Sequence, residues 1–178
     1  YEGVDIAGEG TVGLITYMRT DSLRISEEAL TDVRKLILGR YGNSYCPKDP
    51  RHFKTKAGAQ DAHEAIRPSN VFLTPDQIKG DLSAEQYRLY RLIWSRFVAC
   101  QMSNAVYDSV AVAVVSNEQE FRATSSNVKF NGYTAVYEEG RDEEREEKLS
   151  KLPELGEGEA LQCGGFQQDQ HFTQPPAR

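Results

Sequence analysis

A tyrosine and an arginine separated by one residue are the side chains of this sequence best suited to covalent chemistry. Tyr17 follows a short apolar lead-in, and Arg19 comes two residues later, just before Thr20, Asp21 and Ser22. In an extended backbone, residues two apart point to the same face, so the phenol and the guanidinium would lie side by side. A phenol has an unperturbed pKa of about 10, so it needs a neighbouring positive charge to act as a nucleophile at neutral pH. A phosphodiester fits this pair, because the planar guanidinium matches phosphate oxygens.

A second group of polar side chains lies in residues 60–68, which we predict to form a short helix that ends at Pro68. His63 and Arg67 are four residues apart and would share one face of that helix. Two donors on one face suit a phosphoryl group that gains charge during transfer. A packing interpretation stays open for both groups, since Tyr17 could be a half-buried strand residue and His63 a structural histidine.

Two segments resemble the signatures of a known family. Residues 14–22, read as Leu-Ile-Thr-Tyr-Met-Arg-Thr-Asp-Ser, resemble the active-site signature of type IA DNA topoisomerases, and residues 62–68, Ala-His-Glu-Ala-Ile-Arg-Pro, resemble their second signature. Two matches in the family's order and at its spacing are hard to obtain by chance. Met18 and the closing residues 171–178 favour the bacterial topoisomerase I branch, whereas Leu23 departs from the threonine common at that position.

The resemblance implies a mechanism and a role for each residue. Tyr17 would attack a phosphodiester of single-stranded DNA, form a 5'-phosphotyrosine and release a 3'-hydroxyl, and resealing after strand passage would relax negative supercoils without ATP. Arg19 would hold the scissile phosphate, Asp21 would organise the Tyr17 and Arg19 pair, and His63 would either position the phosphate itself or support the residues that contact it. The side chains expected to contact DNA are then Arg19, Thr20, Asp21, His63 and Arg67.

The resemblance also implies a metal ion that this chain does not bind. The family's Mg²⁺ site carries an Asp-x-Asp-x-Glu pattern, which is absent from the sequence. We therefore expect Mg²⁺ to be bound by a domain outside this chain, and the chain to be a piece of a longer enzyme that does not cleave DNA alone. Its expected partners are single-stranded DNA and the remaining domains. The three cysteines lie far apart, which predicts neither a zinc site nor a disulfide framework.

The pattern of elements predicts an α+β fold in two units. Residues 1–103 would form a mainly helical catalytic domain, winged-helix-like (CAP-like) by the resemblance, and residues 104–178 an antiparallel β segment of the topoisomerase arch. Ser26 is expected to cap a helix that stops at Gly39, and Ser83 to open the longest helix of the chain. The aromatic row of that longest helix could be a base-stacking platform, but its breadth favours a core seam.

Less regular segments give further expectations. Residues 1–13 are predicted to be a glycine-rich loop that leads to a strand at 12–17, and Thr74 is predicted to open a short helix. Alternating apolar residues separated by turn residues predict strands at 106–115, 121–124, 128–130, 133–137 and 160–163. Residues 41–58 mix basic and aromatic side chains, as single-strand-binding surfaces do, although a mobile solvated loop would have the same composition.

The net charge of -6 argues against a broad electrostatic surface for nucleic acid. Residues 1–103 carry 14 basic and 13 acidic side chains, whereas residues 104–178 carry 7 and 14. DNA binding would therefore depend on positioned contacts in the N-terminal unit. The sequence has no apolar run of 18 residues, so it predicts no membrane span. The cysteine usage is typical of a reducing cytoplasm.

Two other classes of protein remain compatible with these patterns. The chain could be a non-catalytic winged-helix-type DNA-binding module, in which Tyr17 belongs to the core and Arg19 contacts phosphate. It could also be a protein-interaction domain with a charged helical face and a sheet edge. An exposed Tyr17 near Arg19 and His63 would favour catalysis over the first alternative, and salt-dependent oligonucleotide binding would argue against the second.

Overall fold

The computed structural model describes residues 3–53, 63–137, 152–170 and 172–173. Within them the fold is α+β, as predicted, and its elements in chain order are β1 (Gly3–Ile6), β2 (Gly10–Gly13), α1 (Glu27–Arg40), α2 (Ala84–Cys100), β3 (Val106–Ser116) and β4 (Gln119–Phe130). Short 3-10 turns lie at Asn43–Tyr45, Lys79–Asp81 and Gly132–Ala135. The description of residues 1–103 as mainly helical holds only loosely, because helix is confined to α1 and α2 in the described part of that range.

The N-terminal residues form a β-hairpin, so the predicted loop is wrong. Strands β1 and β2 pair antiparallel, with Val4 opposite Val12. The turn between them is closed by the N–H of Glu9, which donates to the carbonyl of Ile6 at 3.0 Å. Gly8 occupies this turn with φ of 86°, a conformation that glycine adopts without steric cost. The predicted strand at 12–17 is shorter than expected, since β2 ends at Gly13.

Helix α1 begins where the sequence predicts. The Ser26 hydroxyl accepts a hydrogen bond from the N–H of Ala29 at 3.4 Å, and two glutamates occupy the first turn. The helix ends at Arg40, one residue beyond the predicted Gly39. The residues that it buries in the core are Ala29, Leu30, Val33 and Ile37.

Helix α2 supports the segment that precedes it through its aromatic side chains. The Tyr90 hydroxyl donates to the carbonyl of Leu73 at 2.7 Å, and the Trp94 indole N–H donates to the carbonyl of Val71 at 2.8 Å. Both rings are buried, so the aromatic row is a core seam, as favoured above. The capping box of Ser83 and Gln86 is present. The helix predicted at Thr74 is absent and is replaced by turns and the 3-10 turn at Lys79–Asp81.

Strands β3 and β4 form a long antiparallel hairpin that differs from the predicted strand pattern. The strands predicted at 121–124 and 128–130 merge into the single strand β4, and a two-residue turn at Asn117 and Glu118 joins it to β3. The segments predicted as strands at 133–137 and 160–163 are a 3-10 turn and irregular chain. The alternating segments therefore predicted the antiparallel pairing correctly, but they gave wrong boundaries for β4 and two strands that the described residues do not form.

The described part of the basic segment, residues 41–53, is attached to the end of α2. The buried Gln101 side chain accepts from the N–H of Arg51 at 3.0 Å and donates to the carbonyl of Arg51 at 2.9 Å. The carbonyl of Tyr45 accepts from the N–H of Ser103 at 2.8 Å. These contacts favour a structural role for this segment over a solvated loop. Residues 54–58 lie outside the described residues.

Two glycines should respond in opposite directions to alanine substitution. Gly132 has φ of 53°, and an added Cβ would lie 2.4 Å from the backbone of Asn104, so Gly132→Ala should destabilise the fold by about 1–3 kcal/mol. Gly39 lies in α1 with open space around it, and Gly39→Ala should stabilise by about 0.5 kcal/mol. Urea unfolding followed by circular dichroism measures both changes, and equal effects of the two substitutions would contradict the structure.

The cysteines should differ in reactivity according to their surroundings. Burial raises the pKa of the Cys100 thiol, whereas Cys163 is exposed. Because the thiolate is the reactive form, Cys163 should be alkylated by iodoacetamide at pH 8 at least about tenfold faster than Cys100. Mass spectrometry of timed samples measures the two rates. In guanidinium the rates should converge, and a fast reaction of Cys100 in the native protein would show that it is not buried.

Candidate active site

The predicted nucleophile lies on an exposed loop at residues 17–21. Tyr17 is 56% exposed, and it follows the buried Leu14 by only three residues. The N–H of Arg19 donates to the carbonyl of Tyr17 at 3.0 Å, so the backbone turns tightly at Met18. The expectation of an extended strand with Tyr17 and Arg19 side by side is therefore wrong. What brings these side chains into one site is a second segment of the chain.

The second segment, residues 63–69, pairs with the chain just before the loop. Residues 14–16 run antiparallel to residues 67–69, with an isolated bridge between Ile15 and Pro68. The N–H of Thr16 donates to the carbonyl of Arg67 at 2.9 Å, and the N–H of Ser69 donates to the carbonyl of Leu14 at 2.9 Å. The Thr16 hydroxyl adds a bond to the carbonyl of Ala65 at 3.0 Å and accepts from the N–H of Arg67 at 3.0 Å.

The same segment also binds the chain just after the loop. The Ser22 hydroxyl donates to the carbonyl of His63 at 2.7 Å, and the N–H of Ala65 donates to the carbonyl of Arg24 at 2.8 Å. Residues 63–69 therefore hydrogen-bond to both arms of the loop, at 14–16 and at 22–24. This arrangement closes the base of the loop and holds residues 17–21 at the surface beside His63.

The side chains of the loop and of His63 form a compact polar cluster. A guanidinium has no acceptor, so Arg19 Nη1 donates to His63 Nε2, at 3.2 Å. The Tyr17 and His63 ring centroids are 6.5 Å apart and the rings are inclined by 34°. Asp21 Oδ2 lies 3.6 Å from Arg19 Nε. The structure thus brings Tyr17, Arg19, Asp21 and His63 together, and Thr20 lies on the same loop with an exposed side chain.

The hydrogen bond from Arg19 defines the tautomer of His63. Because Nε2 accepts, a neutral imidazole in this geometry carries its proton on Nδ1. Nδ1 is buried and has no hydrogen-bond partner within the part of the chain that the structure describes. The contact with Arg19 is therefore the polar contact that orients the ring.

Arg67 does not share a face with His63, because residues 63–68 are not helical. Its Nε and Nη2 donate to Glu64 Oε2 at 2.9 and 2.7 Å, and its Nη1 donates to the carbonyl of Pro68 at 2.9 Å. The Arg67 side chain is 14% exposed and that of Glu64 is 22% exposed. The predicted helix is wrong for the described residues, whereas the DNA contact predicted for Arg67 stays a prediction.

Sequence reasoning missed the groups that build the base of the loop. Thr16, Ser22 and Glu64 all lie inside the two signature segments, but their types alone gave no reason to separate them from their neighbours. Their position in the sequence could have indicated two of them, because Thr16 directly precedes Tyr17 and Glu64 directly follows His63. Side chains of this kind are recognised from hydrogen bonds across about 40 residues of sequence, which no local pattern contains.

Comparison with known proteins gives the class of this chain. The family model described as DNA topoisomerase matches residues 1–178, which is the whole chain. The chain therefore belongs to the DNA topoisomerase family. No helix of the described residues is long and apolar enough to cross a membrane.

A solved structure narrows this assignment to the bacterial enzymes. The chain is similar to full-length topoisomerase I from Thermotoga maritima, with 36% sequence identity and a TM-score of 0.63. The similarity covers 78% of this chain and 22% of the Thermotoga chain, so this chain spans only a small part of that protein. The resemblance to bacterial topoisomerase I that the two signatures carry is confirmed.

The ion pair beside the site should be structural. Arg67→Ala leaves the partly buried Glu64 carboxylate without its closest partner and should lower the free energy of unfolding by about 2 kcal/mol. Arg24 is the matched control, because its Nη2 is 3.9 Å from Glu64 and its side chain is 47% exposed. Arg24→Ala should cost less than about 0.5 kcal/mol. Chemical denaturation measures both values, and equal losses would remove the structural role proposed for Arg67.

Proposed function

We propose that this chain is the active-site region of a bacterial type IA topoisomerase, which breaks and rejoins single-stranded DNA through a 5'-phosphotyrosine at Tyr17. Resealing after strand passage relaxes negative supercoils without ATP. One observation carries the proposal: an exposed tyrosine lies 6.5 Å, ring to ring, from an imidazole that is hydrogen-bonded to the arginine two residues further along. Membership of the DNA topoisomerase family supports it.

In this proposal Tyr17 provides the nucleophilic oxygen. Its phenol loses a proton and attacks phosphorus, the bond from phosphorus to the 3'-oxygen breaks, and that oxygen leaves with a proton as the 3'-hydroxyl. The reverse reaction reseals the strand with the same atoms. Attack requires a phenol that DNA can reach, and the exposure of Tyr17 meets this requirement.

Arg19 is the proposed phosphate-binding residue. Its side chain is 44% exposed, and its charge suits the oxygens of the phosphate as negative charge builds up during transfer. A guanidinium carries five N–H donors, so contacts with His63 and Asp21 leave donors for DNA. Asp21 would orient the guanidinium and Thr20 would make a further contact with the backbone of DNA.

His63 is proposed to position Arg19 rather than to transfer the proton. Its Nε2 is occupied by the Arg19 guanidinium, and its Nδ1 is buried. A neutral ring in this place accepts from Arg19 without adding a charge next to it. Arg67 acts indirectly, because its contacts with Glu64 and Pro68 stabilise the conformation of the segment that carries His63.

The metal ion of the proposed reaction belongs to another part of the enzyme. The described residues contain no group of three or more His, Cys, Asp or Glu side chains that could hold a metal ion. We propose that an acidic domain outside these 178 residues binds Mg²⁺. When bound, Mg²⁺ would supply charge stabilisation during phosphoryl transfer. The chain alone should then leave DNA uncut.

A trapping experiment tests the nucleophile. The chain is mixed with Mg²⁺, a separately produced acidic domain of the family and a single-stranded oligonucleotide labelled at either end, and adducts that survive denaturant are counted. We expect an adduct that retains the DNA downstream of the break and that requires the added domain. Tyr17→Phe should abolish it, whereas Tyr107→Phe, which removes an exposed hydroxyl on β3, should leave it unchanged.

The outcomes separate the proposal from its alternative. An adduct that persists in Tyr17→Phe would assign the nucleophile to another residue. The lack of any adduct with the wild-type chain, when both domains associate and bind the oligonucleotide, would favour a non-catalytic DNA-binding module.

Arg19 gives an independent prediction about charge and geometry. Arg19→Lys keeps the positive charge but loses the planar donor geometry that serves His63, Asp21 and phosphate at the same time. The yield of adduct should fall at least about tenfold, because one well-placed donor to a developing charge is worth that much or more. Arg88→Lys, an exposed position on α2, is the matched control. An equal yield from Arg19→Lys and the wild type would show that only the charge matters.

A further inference from the structure

Ser22 is the first buried residue after the exposed loop. Its exposed fraction is 4%, whereas each of residues 17–21 is exposed. The Ser22 hydroxyl donates to the carbonyl of His63 at 2.7 Å and accepts from the N–H of Arg24 at 3.2 Å. A single oxygen thus ties the end of the loop to the peptide group of the histidine that faces it.

The Ser22 hydroxyl lies where it can control the position of the His63 ring. Within the described residues, the bond from Ser22 is the one that fixes the carbonyl of His63, and the next bonds of the segment's backbone are made at Ala65. The His63 imidazole has one polar contact of its own in that part of the chain, to Arg19. The position of the ring therefore depends on where Ser22 holds the backbone behind it.

We propose that Ser22 is a positioning residue for the reaction, whose buried hydroxyl fixes the His63 peptide group and thereby holds the imidazole between Tyr17 and Arg19. This inference rests on the proposed function of Tyr17. Ser22 touches neither the substrate nor the reacting atoms in this scheme. It acts through His63, and through His63 on the orientation of the Arg19 guanidinium.

A hydroxyl is required here because it donates and accepts at the same time. Alanine at this position would remove the partly buried bonds to the carbonyl of His63 and from the N–H of Arg24, and the segment would move to satisfy these groups with water. Cysteine keeps a similar volume but forms weaker and longer hydrogen bonds. The series Ser22, Ser22→Cys and Ser22→Ala therefore reduces the constraint on His63 in steps.

The test compares Ser22→Ala with Ser83→Ala, which removes an exposed serine hydroxyl that accepts a local backbone hydrogen bond at the N-terminus of α2. The Ser83 hydroxyl accepts from the N–H of Gln86 at 3.2 Å and lies on an element that does not carry the site. Adduct formation with the added acidic domain is measured for each variant at a temperature that lies the same number of degrees below the midpoint of its own thermal unfolding. This design removes the general effect of lost stability.

A spectroscopic measurement on the chain alone accompanies the activity assay. Imidazole ¹⁵N resonances are recorded for the wild type and the variants, with His63→Gln identifying the His63 signals and the exposed His52 serving as internal reference. We expect Ser22→Ala to displace the His63 resonances, to leave those of His52 in place and to lower the adduct yield at least about tenfold. Ser22→Cys should show a smaller change of both kinds, and Ser83→Ala neither.

Two results would overturn the inference. Unchanged His63 resonances in a folded Ser22→Ala protein would mean that the hydroxyl does not position the ring. An adduct yield that falls equally in Ser22→Ala and Ser83→Ala would reduce Ser22 to a stabilising residue. If Ser22→Ala does not fold, Ser22→Cys is judged by the same two criteria. If the wild-type chain forms no adduct, the proposed function fails, while the resonances still decide whether Ser22 positions His63.

Discussion

The hydrogen bonds between residues 63–69 and the two arms of the tyrosine loop are the constraint on which the site depends. An exposed loop of five residues has too few buried contacts to hold its own conformation against the entropy of ordering. Here the loop ends are fixed by backbone bonds at Leu14, Thr16 and Arg24, and by the hydroxyls of Thr16 and Ser22. The loop can therefore remain at the surface without losing its shape.

The charges at the surface of the site contribute little to stability. The contact between Arg19 and Asp21 is 3.6 Å long, with side chains 44% and 38% exposed, and such pairs contribute little to folding because solvent and salt screen them. The better-buried pair of Glu64 and Arg67 lies behind the site and stabilises the segment that carries His63. The chain thus separates a structural ion pair from a cation that is available for a phosphate.

The two helices and their serine caps could be predicted from the sequence, because a helix start is encoded within four residues. The candidate site residues could be named from it too, because the signatures are contiguous, and their roles stay a prediction. The shape of the site could not. Residues 63–68 have helical spacing, yet their backbone groups pair with residues 14–24, and these long-range partners override the local preference. In the same way, the N-terminal glycines are compatible with a hairpin turn and with an irregular loop. The pairing of Val4 with Val12 is what distinguishes the hairpin from the loop. Tyr17 and Arg19 were expected to meet through strand geometry, but they meet through a histidine more than 40 residues away.

The two halves of the site are separated by residues 25–62, an excursion of the chain that contains α1 and the segment after it. The ends of this excursion, near Arg24 and His63, are fixed together by hydrogen bonds, so its length adds a loop-closure cost to the free energy. That cost grows slowly, by about 0.6 kcal/mol for each doubling of the number of residues. Closure would therefore tolerate a change of length, whereas a change within α1, or where residues 41–53 contact Gln101, would break contacts that the fold needs. Length changes and engineered fusions that preserve both sets of contacts should leave the geometry around Tyr17 unchanged.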